Sequence, residues 1–432
     1  MKKSPGKILI ICQFFAPDNS VASVRPTKFA KYLHKNHSYS VDVLQLCGMK
    51  MPEDPKLAAD LKHVDNVCKV GISTQSFSSP SSPETDSFLS RLKRKSASLA
   101  VYLEQYRLMR KNVRHAMEVT DSQLDIRKYD VVLSSAGPFL SHRVACCIKR
   151  KNPSVVWIAD FRDPDPDAIS GNFLVRTVAK RIVKRVTGSA DCIIGATRGC
   201  FENMEIYSGR RCAEILNGFD PEDGDPQPAP EDKKSITFSY TGTLHTDRTD
   251  IEPIFKAIRE VSEELDLDRD RLKILYAGRM ETEFLRQARR CGLEQNVESF
   301  GFVSRSRAME IQHKSDILLL GSFDIGRQKD VITGKFYEYL FSGKPILCTV
   351  SGTNRGTRLK QMFDELACGY CWEGGNSAED DAGLKEYLKN LIKDRTDTGK
   401  LNFSPDREKI KKYDYRNIAG ELNSLIEQLL PN

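Results

Sequence analysis

DVITGKFYEYLFSGKP (330–345), which runs straight into the apolar stretch ILCTV (346–350), decides the architecture. Thr333 reads as the N-cap of a helix that continues to Ser342 and stops at Gly343. Phe336, Tyr337, Leu340 and Phe341 fall on one side of that helix and form its buried stripe, while Lys335, Glu338 and Ser342 fall opposite. Ile346–Val350 then reads as a strand. A helix feeding an uninterrupted apolar strand is one unit of a parallel sheet covered on both faces. The free amides and positive dipole end at the helix N-terminus suit a diphosphate, which makes Thr333, Gly334 and Lys335 candidate ligand residues. Glu338, one turn in, can accept both hydroxyls of a ribose. Asp330 lies ahead of the helix, within reach of a sugar.

The same rhythm extends outward in both directions. Strands are expected at Lys7–Cys12, Ser40–Leu46, Val131–Ser134, Val155–Ala159, Cys192–Ala196, Ile236–Thr241, Lys273–Ala277 and Ile317–Leu320. Helical patterns such as Arg25–His34, Ile251–Val261 and Glu281–Cys291 lie between them. DPEDGDPQPAPEDKK (220–234) has four prolines and no apolar periodicity, so it reads as a linker. The fold class is therefore α/β, with two doubly wound Rossmann-like domains facing a central cleft. Residues 1–219 form the first domain and 235–412 the second, and the pattern over 413–432 is a candidate to return to the first. Ligands are expected at the strand C-termini.

Composition narrows the functional classes. With 432 residues and 40% hydrophobic content, the chain exceeds one ordinary core. A net charge of +7 suits a phosphate-bearing substrate or an anionic membrane surface, and lacks the dense basic footprint of a nucleic-acid binder. The 12 cysteines lie in apolar runs and read as reduced core thiols of a cytoplasmic protein. The pair Cys368 and Cys371 has no second pair at zinc-site spacing. MKKSPGKILIICQFFAP reads as a first strand and not as a secretory signal. No run approaches a membrane span, so membrane contact is expected to be peripheral. Two basic stretches would serve it. Ser87–Val119, read as a helical hairpin, carries Arg91, Lys93, Arg94 and Lys95, and Val175–Val186 carries Arg176, Lys180, Arg181, Lys184 and Arg185.

Asp330 and Glu338, seven residues apart and followed by Tyr339, Gly343, Lys344 and Pro345, resemble the acidic-x7-Glu motif of the retaining glycosyltransferases of family 4, with Asp in place of the usual first Glu. The resemblance covers nearly the whole chain and implies a GT-B fold. It implies that Glu338 binds the nucleotide ribose and that Asp330 lies by the donor sugar. FFAPDNSVASVRPTKFAKYL (14–33) resembles the family's first βα loop, but Ser20, Val21, Ala22 and Ser23 replace its paired glycines. Arg25 is the candidate cation to compensate, and Ser20 and Ser23 the candidate acceptor-side hydroxyls. WIADFRDP (157–164) and SSAGPFLSH (134–142) are similar to segments of a branch often involved in bacterial surface polysaccharide synthesis, which makes Asp160, Arg162 and His142 candidate catalytic residues. Arg162 stands where relatives carry a histidine and cannot act as a base. YTGTLHTDRTDIEPIFKAI (240–258) is similar to the donor phosphate loop, with Gly242 and Thr243 under the pyrophosphate and Arg248 as a cation. Arg279, in YAGRM, is a second.

The resemblance implies transfer of a hexose-type unit from a nucleotide-sugar donor to a saccharide or lipid-linked acceptor, with retention, at the inner face of a membrane. No metal or other cofactor is expected, despite the arrays Asp163, Asp165, Asp167 and Asp266, Asp268, Asp270. Two alternatives remain open at this level: a nucleotide-sugar 2-epimerase and a non-catalytic GT-B scaffold.

Overall fold

The computed structural model describes residues 6–48, 50–73, 88–137, 139–163, 173–202, 209–224, 235–244, 248–324 and 331–431, with the side chains of 88–97 outside that set. The chain divides into two compact units. Unit 1 is Met1–Leu216 with Tyr415–Asn432, and unit 2 is Asn217–Asp414.

Among the described residues unit 1 holds seven parallel strands: β1 Lys7–Cys12, β2 Ser40–Cys47, β3 Asn66–Gly71, β4 Val131–Ala136, β5 Val156–Phe161, β6 Cys192–Gly195 and β7 Cys212–Glu214. Their order is β3-β2-β1-β4-β5-β6-β7. Ile8 pairs with Val41 on one side and Val131 on the other, which places the order reversal between β1 and β4. Leu9, Ile11, Leu44, Val132 and Trp157 enter one core, and Ile8, Ile10, Val41, Val43 and Ile158 enter another. Alternate residues of one strand thus fill both cores, and each fully buried Ile or Leu contributes about 1.5–3 kcal/mol. The Tyr415–Leu429 helix closes the second core, with Tyr415 edge-on to Phe29 of the Val21–His37 helix at 6.2 Å.

Unit 2 holds β8 Ile236–Thr241, β9 Leu272–Ala277, β10 Val297–Ser299, β11 Ile317–Asp324, β12 Ile346–Gly352 and β13 Gly369–Glu373, all parallel, in the order β10-β9-β8-β11-β12-β13. Counted from β8 this is 3-2-1-4-5-6, the doubly wound dinucleotide-binding order, with its switch point between β8 and β11.

Two local readings change. Residues 88–123 form one 36-residue helix, Phe88–Gln123, and not a hairpin, because no glycine or proline interrupts it. Val113, Ala116 and Met117 seat it on unit 1, and Arg107, Arg110, Lys111 and Arg114 face solvent. The stretch read as linker begins with structure: Pro221–Asp223 is a 3-10 turn of unit 2, capped by the Asp220 carboxylate accepting from the Glu222 N–H at 2.9 Å. The carboxylate array at 266–270 forms a turn leading into β9, in which Asp268 accepts from the Asp270 N–H.

Candidate functional site

The Gly334–Ser342 helix follows β11 and precedes β12, so its N-terminus lies at the C-terminal edge of the unit 2 sheet. Thr333 is its N-cap in extended conformation, without a side-chain capping bond, and the Thr333 Oγ1 is buried with no hydrogen-bond partner among the described residues. Gly343 ends the helix in the left-handed region at φ 66°, where glycine is favoured. The next residue, Lys344, is buried and donates to the carbonyls of Gln312, His313 and Ser315. It therefore caps the C-terminus of the Arg305–Lys314 helix.

Two hydroxyls and one amine fasten the helix to the loop after β8. The Tyr339 hydroxyl accepts from the Thr241 N–H at 3.2 Å and lies 3.1 Å from Thr241 Oγ1, which also accepts from Gln312. Tyr339, unlike Phe341, is fully buried. Lys335 extends under the loop, and its Nζ donates to the Tyr240 hydroxyl at 3.3 Å and to the Thr243 carbonyl at 3.5 Å. The Nζ also sits 4.3 Å from the centre of the Tyr240 ring. Gly242 is required here on two counts. Its φ is +108°, and a Cβ would lie 2.9 Å from Lys335 Cδ. Its N–H donates to the Ala277 carbonyl at 2.6 Å, which ties this loop to the end of β9.

Burial pushes the Lys335 ammonium down to about 8, and the Glu338 carboxylate opposes that shift. The protonated form is the one that attracts a phosphate. Affinity for a nucleoside diphosphate is therefore expected to be full below pH 8 and to fall as pH rises through it. The slope should approach about tenfold per pH unit at higher pH. Lys335→Met should flatten that profile, as followed by isothermal titration from pH 6.5 to 9.5. An unchanged slope in the mutant would remove Lys335 from the phosphate site.

Glu338, one turn along, receives Arg305 Nε on Oε1 at 3.1 Å, and Arg305 Nη2 donates to Asp223 Oδ2 at 3.0 Å. Neither Arg305 nor Asp223 carries a recognisable sequence signal, because each is defined only by the other two. Arg248 is exposed, 5.6 Å from the Phe323 ring centre, and Arg279 lies 4.3 Å from that of Phe302, so the two expected loop cations stack on aromatic faces. Thr243 is exposed beside Gly242. Asp330, Asp165 and Asp167 lie outside the described residues, and Asp163 is exposed.

In unit 1 the candidate residues gather at the C-terminal ends of β1, β4 and β5. Arg25 and Asp160 hold each other, with Nη2 to Oδ1 at 2.8 Å and side chains 3% and 1% exposed. Arg25 Nη1 also donates to the Leu216 carbonyl, and Ser135 Oγ donates to Asp160. Arg25 is thus committed inside unit 1 and is not a loop cation at the surface. Arg162 donates from Nε to the Ala136 carbonyl and from Nη1 to the Ala22 carbonyl, joining the β1 and β4 loops. Ser20 caps the Val21–His37 helix by accepting from the Ala22 N–H, and the Ser23 hydroxyl is buried. His142 is fully buried between Phe139 and Phe161, with Nδ1 2.8 Å from Ser134 Oγ, which accepts from Trp157 Nε1. Burial pushes its imidazole down to about 3, against the pull of Asp160, so it is neutral at physiological pH.

These two sheets define the class: the chain has the α/β GT-B fold. No family model matches the chain, and no curated protein matches it in sequence. Solved structures do match. The chain is similar to sucrose-phosphate synthase from Thermosynechococcus elongatus at 12% identity, over 98% of this chain and 99% of that one, with a TM-score of 0.59. It is similar to an E. coli trehalose-6-phosphate structure bound with UDP-2-fluoro glucose at 12% identity, over 99% and 100%, with a TM-score of 0.63. It is also similar to the lipopolysaccharide outer core galactosyltransferase WaaB in its apo form at 14% identity, over 98% and 99%, with a TM-score of 0.55.

Proposed function

We propose that this chain is a retaining glycosyltransferase that moves a hexose-type unit from a nucleotide diphosphate sugar to a saccharide or lipid-linked acceptor in cell-surface polysaccharide synthesis. One observation carries the reading: Lys335 bridges the N-terminus of the Gly334–Ser342 helix to the Gly242–Thr243 loop, with the Glu338 carboxylate one turn behind it. A cation and free amides at one end fit a diphosphate, and a carboxylate about 4.5 Å further along the axis fits the ribose hydroxyls. As the donor bond breaks, the sugar gains oxocarbenium character and the leaving diphosphate gains charge. Lys335, the helix amides, Arg248 and Arg279 would stabilise that charge from fixed positions. Asp330 is proposed to act beside the reacting sugar.

Since protein cations serve the diphosphate in this reading, turnover is expected to persist in excess EDTA. The donor is first selected by thermal shift against UDP-, GDP-, ADP-, CDP- and dTDP-sugars, since binding to the native state raises its stability. Release of nucleoside diphosphate is then followed, with product analysis to separate transfer from epimerisation. No binding to any donor would end the reading. Loss of turnover in chelator, restored by magnesium or manganese, would replace the metal-free mechanism.

No described helix is long and apolar enough to cross a membrane. A peripheral site at the inner membrane face is proposed on the Phe173–Val186 helix, which buries Val175, Ala179 and Val183. It carries Arg176, Lys180, Arg181, Lys184 and Arg185, and it leaves Phe173 66% exposed. Each cation near an anionic surface contributes about 1 kcal/mol. Co-sedimentation with anionic but not neutral vesicles is expected, abolished by high salt or by glutamine at those five positions. Equal recovery with both vesicle types would point to a soluble acceptor. The companion cluster Arg91, Lys93, Arg94 and Lys95 has side chains outside the described set.

A further inference from the structure

We infer that Arg305 is a positioning residue for Glu338, and that Asp223 holds Arg305 so that only one oxygen of the glutamate is occupied. The inference rests on the donor-site reading above and adds to it how the ribose carboxylate is held. Arg305 is the first residue of the Arg305–Lys314 helix, whose start is fixed by Ser304 Oγ accepting from the Arg307 N–H at 3.3 Å. Its guanidinium divides between two acceptors: Nε meets Glu338 Oε1 at 3.1 Å and Nη2 meets Asp223 Oδ2 at 3.0 Å. Asp223 is itself fixed, since its N–H donates to the Asp220 carbonyl at 3.0 Å and closes the 3-10 turn.

The side chains of Arg305, Asp223 and Glu338 are 15%, 7% and 25% exposed, so exposure rises toward the glutamate. Oε2 of Glu338 takes no hydrogen bond from the described residues. A guanidinium paired with a single carboxylate tends to bond both oxygens in parallel. Sharing it with Asp223 prevents that and leaves one glutamate oxygen for a ligand. It also restricts the rotamers of a three-torsion side chain that would otherwise have to be ordered on binding. The Glu338 carboxylate stands at this end of the helix, three residues on from Lys335, whose ammonium reaches the Thr243 carbonyl at the other end. That end accepts from a hydroxyl pair and repels phosphate, which directs the diphosphate toward Lys335. The order of the nucleotide along the helix follows: phosphates at the N-terminus, ribose at Glu338.

The experiment compares UDP, GDP, ADP and CDP with their 2′-deoxy forms by isothermal titration, in the full chain and its variants. The wild type should prefer the ribose form of the nucleotide it binds by about tenfold. Glu338→Gln should erase most of that preference. Arg305→Met should reduce it to within about twofold while leaving affinity for the deoxy form nearly unchanged, because the diphosphate still meets Lys335. Arg305→Lys, which keeps the charge and the fold but loses the fork, should fall between. The double variant Arg305→Met with Glu338→Gln should be no worse than Glu338→Gln alone. A merely structural role would weaken ribose and deoxy forms alike. Retention of the full preference in both Arg305 variants, with its loss in Glu338→Gln, would overturn this inference and leave the donor site standing. No ribose preference in the wild type, or no binding of any of the four nucleotides, would overturn both.

Discussion

Asp160→Ala should cost unit 1 about 3–5 kcal/mol, the usual consequence of leaving one member of a buried ion pair without its partner. The Arg25 side chain is 3% exposed and cannot recover the lost interaction from water. Its Nε and Nη2 both donate to Asp160, and Ser135 Oγ loses its acceptor in the same substitution. Replacing both ends with apolar groups, as in Arg25→Met with Asp160→Leu, should recover most of the loss, because neither charge then has to be desolvated. Urea unfolding gives the measurement. The chain has two tryptophans, Trp157 and Trp372, so a Trp372→Phe background leaves Trp157 on β5 to report unit 1. A loss below about 1 kcal/mol for Asp160→Ala would mean that the pair behaves as a surface bridge. The same experiment bears on function, since a large loss identifies Arg25 and Asp160 as the residues that hold the β1 and β5 loop ends together.

Nucleoside diphosphate affinity should fall by about 1.5–3 kcal/mol in both Glu338→Ala and Glu338→Gln, which is about 10- to 150-fold in dissociation constant. The glutamine variant matters more. It keeps the volume and one carbonyl acceptor but removes the charge that strengthens a bond from a ribose hydroxyl, and it weakens the link to Arg305 Nε. The two variants should leave the fold intact, because Glu338 lies on the exposed side of its helix and Phe336, Tyr337, Tyr339 and Leu340 carry the packing. Calorimetric titration with the nucleotide selected by thermal shift gives the result. Wild-type affinity in both folded variants would remove Glu338 from any nucleotide site and with it the strongest support for a glycosyltransferase.

The sheets show where local pattern is sufficient and where it is not. Every strand legible from its residues is internal: β1, β2, β4, β5 and β6 in unit 1, and β8, β9, β11 and β12 in unit 2. An internal parallel strand is covered on both faces, so it must be a continuous apolar run, as ILCTV is in β12. The four strands with no such signal, β3, β7, β10 and β13, are the two edges of each sheet. An edge strand pairs on one side only and tolerates polar residues, as the exposed positions in β3 and the half-buried ones in β7 and β10 illustrate. Their places are set by the neighbour they pair with.

The same division runs through the candidate site. The amphipathic stripe of Gly334–Ser342 and its Gly343 stop follow from helical spacing and left-handed cap geometry, which depend on residues within a few positions of each other, while Thr333 marks the start without the side-chain bond expected of an N-cap. Tyr339 defeats the spacing argument: it is fully buried because its hydroxyl finds Thr241, 98 residues away. Lys344 follows the helix as part of a recognisable motif, yet its role is to cap the Arg305–Lys314 helix. Arg305 and Asp223 are separated by 82 residues, and only the closed fold of unit 2 brings them together with Glu338. The amino-acid sequence by itself determined the internal strands, the helix that bears Lys335 and Glu338, and the glycine of the loop after β8. Tertiary structure alone decided the edge strands, the pairing of Arg25 with Asp160, and the guanidinium that holds Glu338. A side chain's partner across the fold leaves no periodicity in the chain, because its position is set by packing and not by local spacing.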